Sequence, residues 1–430
     1  MTLQVYDWWR EPSERDAFDS VTSLDESLHP GITINNAVTV DNADELRGFL
    51  NESLLASAPP STFQANIGAD LLRWTVVDTD DATVVSSSRI EPLDAVFAGG
   101  DFGAQIQPRL LNELRVGAGT SAYGVPLNIH RLNMLYYDPA RLAAYESRHG
   151  GQTFLDLDVL CPSDVETRIS DATQKPDLVI ATGTGDQFPM TLLAFESLLP
   201  AIWGADFYDA LFHGQASGDW ATEVHQTLAC VEYLSRSFLT DRANPTWAQA
   251  AQRVADGDAD LTVMGDWVNG ELKTQLFQGE VVGVPFPRAA QVAPFYVFTS
   301  DTFPLPIGAP HPTEALDLLN TMASAEGQRV FSSEKGSIPA RRDVDVSDEV
   351  PNASNTVADF ESDQVLKEVA TSGLFPPYFD ADKLNELLLA IASEPGDPSN
   401  VDAAAEWFED AEPLFARWQT RLAQGAAPPP

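Results

Sequence analysis

Positions 3–7 alternate apolar and polar residues, the period of a half-buried strand. Over 13–28 the apolar positions recur at helical spacing, with Ser13 placed as N-cap, Asp16 three residues on as its capping partner, and His29-Pro30-Gly31 as the stop. Positions 32–40 carry the β-branched density of a strand, 43–55 read as a helix that Ala58-Pro59-Pro60 breaks, and 62–67 form a third strand. This β-α-β-α-β order predicts a parallel sheet with right-handed crossovers. Further strands are predicted at 123–128, 178–181, 261–264, 281–286 and 295–299. Helices are predicted at 189–199, 223–239, 313–331 and 365–370, with Asn244-Pro245 opening another and a final helical region over 380–423. Internal repeats and long Gly/Ser linkers are absent, so two α/β lobes joined by more than one crossing fit better than two domains in series.

Length and composition agree with that picture. At 430 residues the chain suits two domains of ordinary size, and 44% hydrophobic content marks a folded chain. No stretch approaches the roughly 20 apolar residues of a membrane span. Charge adds a constraint: 64 acidic against 25 basic residues give −39, spread along the chain. Such a surface repels phosphate backbones and anionic lipid, which argues against nucleic-acid binding and membrane docking. Adaptation to a salty medium, or simply an acidic proteome, is the plain reading of the excess. Cys161 and Cys230 lack any zinc spacing; they could form one disulfide or remain two buried thiols. The first residues, Met1-Thr2-Leu3-Gln4-Val5, enter a strand pattern at once, so either the protein is cytoplasmic or a leader has been removed, and the second is expected. The tail Ala426-Ala427-Pro428-Pro429-Pro430 is expected to fray.

Catalytic signals are missing: no P-loop, G-x-S-x-G elbow, H-E-x-x-H or G-x-G-x-x-G occurs, and the six histidines show no metal spacing. No catalytic residue, metal or cofactor is therefore expected. The aromatics carry more information. Trp8 and Trp9 fall at the carboxyl end of the first strand, where open α/β sheets bind ligands, and adjacent strand residues face opposite ways. Trp267 repeats this arrangement after the strand at 261–264 and a Gly265-Asp266 turn. Indole faces stack on sugar rings while carboxylates and amides bond the hydroxyls, and Glu14, Gln64, Asp266 and Asp301 are similarly placed. Each has a plain structural alternative: core filling for tryptophan, helix capping for Glu14 and Asp266, turn closure for Gln64, Asn66 and Asp301. Lys335 is one of only five lysines, although Glu334 beside it permits an ordinary surface role.

These residues lie in stretches that resemble the extracytoplasmic solute-binding proteins of carbohydrate ATP-binding-cassette importers, glucose/galactose-binding branch. The stretches are VYDWWREPSE (5–14), PPSTFQANIGADLL (59–72), YGVPLNIHRLNMLYYDP (123–139), DADLTVMGDWVNGE (258–271), FTSDTFPLPIGA (298–309) and FSSEKGSIPARRDV (331–344), in family order. The resemblance implies a two-lobed periplasmic-binding-protein fold, each lobe a mainly parallel sheet flanked by helices, with a ligand cleft between. Its implied boundaries put 1–126 and 284–335 in the N-terminal lobe, and 127–283 and 336–430 in the C-terminal lobe. It implies that Trp8, Trp9, Glu14, Gln64, Asn66, Trp267, Asp301 and Lys335 contact a sugar, glucose-like by preference. The partner is then a membrane permease of an importer, the chain a monomer, and the location periplasmic or extracellular, with a lipid anchor as an option.

Two departures stand out. Asn66 replaces a charged or imidazole side chain, and Leu374-Phe375-Pro376-Pro377-Tyr378 replaces an Ala-His-Gly-like run. Both predict lost polar contacts, with a preference shifted away from glucose, an enlarged pocket or loss of sugar binding as the outcomes. A sensor subunit with an altered ligand, or a carbohydrate hydrolase, are the rival readings.

Overall fold

The computed structural model describes residues 1–39, 43–77, 87–99, 101–171, 173–183, 190–239, 245–362, 365–368 and 381–425. The segment 374–378, Asn244 and the tail 426–430, all singled out above, lie outside the described residues. Apolar side chains collect in two cores. The first draws on residues from Leu3 to Ile129 and from Tyr296 to Phe360, together with Trp418. The second draws on residues from Leu132 to Val297 and from Leu384 to Phe415. The chain therefore passes between two lobes more than once. Trp418 and Leu422 pack on the first core although the earlier part of their helix, Pro398–Gln424, lines the second through Val401, Phe408 and Phe415.

In the first lobe β1 (Thr2–Asp7) is central, with β2 (Thr33–Thr39) and β3 (Thr62–Phe63) parallel to it on either side. Leu3 and Val5 are buried while Gln4 and Tyr6 on the other face are partly exposed, which is the alternation read from the sequence. A small antiparallel sheet joins β4 (Ala65–Asn66), β11 (Asp301–Phe303) and β5 (Val125–Pro126). The predicted strand at 62–67 is thus split between two sheets. The second lobe holds β8 (Leu261–Met264), β7 (Met134–Tyr137) and β9 (Val282–Pro285), and both pairings are antiparallel rather than the expected parallel. The central strand β7 runs opposite to both its neighbours, so β8 and β9 point the same way on either side of it. Parallel bridges do occur there, from Ile180 to Phe238 and Leu261.

Between the lobes runs a third layer, β12 (Ile338–Pro339), β6 (Asn128–Arg131), β10 (Phe295–Thr299) and β13 (Val365–Glu368). β10 serves both cores: Phe295 and Val297 pack in the second, Tyr296 and Phe298 in the first. Both faces of such a strand are apolar for that reason. The change of core falls at 129–132, along β10, and between Phe360 and Leu384. Ile338, Ala340, Val346, Val350, Ala353 and Phe360 pack in the first core, whereas the sequence boundary at 336 assigned them to the other lobe.

Other local readings also shift. Glu11, not Ser13, is the N-cap of the Pro12–Leu28 helix, with Glu14 rather than Asp16 as the capping-box acid. The single helix read over 313–331 breaks at Ser324, whose extended backbone and hydroxyl open a second helix, Ala325–Lys335. Positions 365–370 read as a helix, but pairing along the apolar β10 turns 365–368 into β13. Cys161 and Cys230 form a disulfide across 69 residues of sequence in the second lobe.

Candidate functional site

Strand ends from both lobes converge beside the middle layer. β1 ends on Asp7, fully buried, whose Oδ1 accepts from the Trp9 backbone N–H at 3.0 Å and from Arg15 Nη1 at 3.1 Å. The next two residues face opposite ways, as strand geometry requires. Trp8 is half-buried, and Trp9 is 1% exposed among Phe18, Phe303 and Phe331, with ring centroids 5.2–5.9 Å apart. Trp9 is thus a core residue that also meets Lys335, whose Nζ lies 5.7 Å from its ring centroid. That Nζ donates to Glu14 Oε1 at 2.6 Å, while Glu14 Oε2 accepts from the backbone N–H groups of Arg10 and Glu11. Glu14 therefore both caps its helix and holds the scarce lysine.

Asp301, at the start of β11, is the centre of the polar cluster. It accepts from Gln64 Nε2 and from Asn128 Nδ2, each at 2.8 Å, and His130 Nε2 lies 3.4 Å away. Burial raises its pKa, but His130, Lys335 and Asn128 together lower it more, to about 2. It stays ionised. Gln64 Oε1 takes the Trp8 backbone N–H at 3.2 Å, which ties the half-buried indole to this cluster. Asn66 faces Asp301 across the β4–β11 ladder, and its Oδ1 takes only a long 3.4 Å bond from Thr299 Oγ1.

From the second lobe come Asp266 and Trp267. Asp266 is 1% exposed; its Oδ1 lies 2.6 Å from His130 Nδ1, and its Oδ2 receives no hydrogen bond from the described residues. Trp267 folds back over Gly265, where a Cβ would lie 2.2 Å from the indole, so only glycine admits this fold. The indole stays half-buried, edge-on to His130 at 5.4 Å and to Trp247 at 6.4 Å. The lobes touch directly nearby. Asn269 Nδ2 donates to the Gly336 carbonyl at 3.2 Å, and a Cβ on Gly336 (φ +79°) would lie 2.1 Å from the Gly270 nitrogen.

The structure thus brings Trp8, Gln64, Asn66 and Asp301 together, sets Glu14, Lys335 and Trp9 beside them, and places Trp267 against His130. Sequence reasoning missed His130 and Trp247. For His130 a signal existed: Asn128 and His130 are two apart on a strand and so share a face, with Ile129 turned into the first core.

Residues 29–358 match the family described as bacterial extracellular solute-binding protein. The chain belongs to this family. An uncharacterized extracellular-binding protein of an ABC transporter from Pyrococcus horikoshii is 28% identical over 91% of this solute-binding chain and 83% of its own length. A xylose/arabinose-binding protein from Haloferax volcanii is 23% identical over 86% of this chain and 76% of its own length. Among solved structures, a bacterial solute receptor described as preferring β-D-galactopyranose superposes with a TM-score of 0.72 at 15% identity, over 97% of this chain and 99% of that one. A sugar transporter protein from Bacillus licheniformis in complex with stachyose gives 0.69 at 14% identity, over 96% and 100%. The two-lobed binding-protein fold follows from these superpositions.

Proposed function

We propose that this solute-binding protein takes up a mono- or small oligosaccharide, glucose-like, outside the cytoplasmic membrane and passes it to the permease of an ABC importer. The role is binding without catalysis, by a monomer whose lobes close on the sugar. One observation carries the reading: each lobe offers a half-buried indole linked to a buried carboxylate, Trp8 through Gln64 to Asp301 and Trp267 next in sequence to Asp266. Indole faces match the C–H faces of a sugar ring, and carboxyl oxygens match its hydroxyls. A ligand that touches both lobes favours the closed state over the open one. The named sugar ligands of the relatives support the class, and the disulfide in the second lobe suits an oxidising compartment.

Thermal shift against a panel of pentoses, hexoses and short oligosaccharides tests this directly. A rise in Tm with at least one sugar at millimolar concentration is expected; no rise with any would overturn the reading. Trp267→Ala is expected to lower the affinity by about tenfold, the scale of one lost stacking contact. Unchanged titration calorimetry would remove that indole from the site.

A further inference from the structure

His130 has no assigned part in sugar contact, yet it is 3% exposed and sits in β6, where the chain changes lobes. Its neighbours on either side mark the boundary, Ile129 in the first core and Leu132 in the second. Both ring nitrogens are engaged, and in different directions. Nδ1 meets Asp266 Oδ1 at 2.6 Å, just after β8 of the second lobe. Nε2 lies 2.9 Å from Asn128 Nδ2 and 3.4 Å from Asp301 Oδ2, on the side of the first lobe. Asn128 Oδ1 takes the Asp301 backbone N–H at 2.9 Å, which turns the amide NH₂ toward both the ring and the Asp301 carboxylate.

Neutral, the ring donates from Nδ1 to Asp266 and accepts at Nε2 from Asn128, which suits an amide nitrogen 2.9 Å away. Charged, its Nε2–H faces that same NH₂ group and finds its nearest acceptor in Asp301 Oδ2 at 3.4 Å. Burial opposes the charged form, but Asp266 and Asp301 outweigh burial and raise the His130 pKa above the ordinary imidazole value. The charged groups around it are Asp266 and Asp301, with Lys335 behind Asp301 and Arg131 next along the strand; the titratable hydroxyls of Tyr136 and Tyr296 lie in the field of Asp266 and Arg131.

We propose that His130 is a positioning residue, a two-ended strut that ties Asp266 of the second lobe to the Asn128–Asp301 pair of the first and so fixes the setting of the two lobes relative to each other. Its effect on ligand affinity rests on the sugar-binding reading; its effect on lobe separation does not. No other side chain presents two opposed polar nitrogens on one rigid ring. Asparagine sets its amide nitrogen near the Nδ1 position and glutamine near Nε2, so each keeps one end of the strut and loses the other.

Spin labels at Glu52→Cys in the first lobe and Phe277→Cys in the second report the distance between lobes in sugar-free protein, leaving the native disulfide in place. Expected are a narrow distribution for the parent pair, longer and broader distances for both His130→Asn and His130→Gln, and near-parent distances for Asp266→Asn, which keeps an oxygen for Nδ1–H. In sugar titrations both His130 variants should lose about tenfold or more in affinity, the scale of one buried hydrogen bond. A parent-like distribution in either His130 variant, with its far-ultraviolet circular dichroism intact, overturns the strut. Should both variants fail to fold, ¹⁵N-histidine spectra of the parent at about pH 10 decide. One ring protonated at Nδ1 with a bare Nε2 is expected, and its absence overturns the proposal. A parent that binds no sugar but shows these distances refutes the sugar reading alone.

Discussion

Asp7 and Asp301 are two buried aspartates at strand ends of the same lobe, and they answer burial in opposite ways. Asp7 closes β1 and is 0% exposed; desolvation raises its pKa to about 6 despite the opposing charge of Arg15, the Trp9 N–H and Asn36. Asp301 opens β11 and is 5% exposed, yet its pKa falls to about 2. Depth is nearly the same, so depth does not decide. The partners do: Asp7 leans on one guanidinium that is itself 26% exposed, whereas Asp301 has Gln64, Asn128 and His130 around it and Lys335 in its field. Asp7 shapes the turn that carries the tryptophans. Asp301 is an anion held ionised by its neighbours.

The contrast is open to attack, first at Asp301. Asp301→Asn leaves His130 and Lys335 with less negative charge to face, and removing one partner of a buried charge cluster typically costs about 3 kcal/mol. Urea unfolding at neutral pH should show that loss, with sugar binding falling in parallel; a stability within about 0.5 kcal/mol of the parent would erase the distinction.

Asp7 should respond more weakly and with the opposite sign. Its folded pKa is raised, so the native state binds the proton more tightly, and stability falls as pH rises from the ordinary aspartate range to about 6. Asp301 is depressed, so its contribution is present above the ordinary range and lost as pH falls toward about 2. Asp7→Asn should remove the first slope, stabilise the protein at neutral pH by about 1–2 kcal/mol and leave the acid limb unchanged. Urea midpoints measured from about pH 2 to 7 on parent and variant read both limbs.

Which of these features the sequence announces depends on how local their causes are. β1, β8 and β10 are legible because two-sided or alternating burial is written in consecutive residues. Gly265 before Trp267 announces an indole folded over a strand end, since nothing larger fits. The antiparallel second-lobe sheet was not legible, because β7 pairs with strands far along the chain, β8 and β9. β13 was not legible either, because its partner β10 lies 70 residues away, from Phe295 to Val365. His130 shows why such residues hide: its partners Asp266 and Asp301 stand 136 and 171 residues along the chain, and a lone histidine between Ile129 and Arg131 gives no sign of them.

The smallest expected effect is the cleanest probe of the site. Asn66 stands directly opposite Asp301 in the β4–β11 ladder, but its side chain is only half-buried and its one hydrogen bond, from Thr299, is 3.4 Å long. Its backbone N–H, bonded to Asp70 Oδ2 at 2.9 Å, is untouched by substitution. Asn66→Ala should therefore change stability by less than about 0.5 kcal/mol, within the range of ordinary surface changes. Asp301→Asn alters fold and ligand together, whereas this variant separates them. If the Asn66 amide meets a sugar hydroxyl, calorimetry should show affinity falling about fivefold, near 1 kcal/mol, with Tm of the sugar-free protein unchanged. Equal affinities in parent and variant would confine the hydroxyl-binding wall of the first lobe to Asp301 and Gln64.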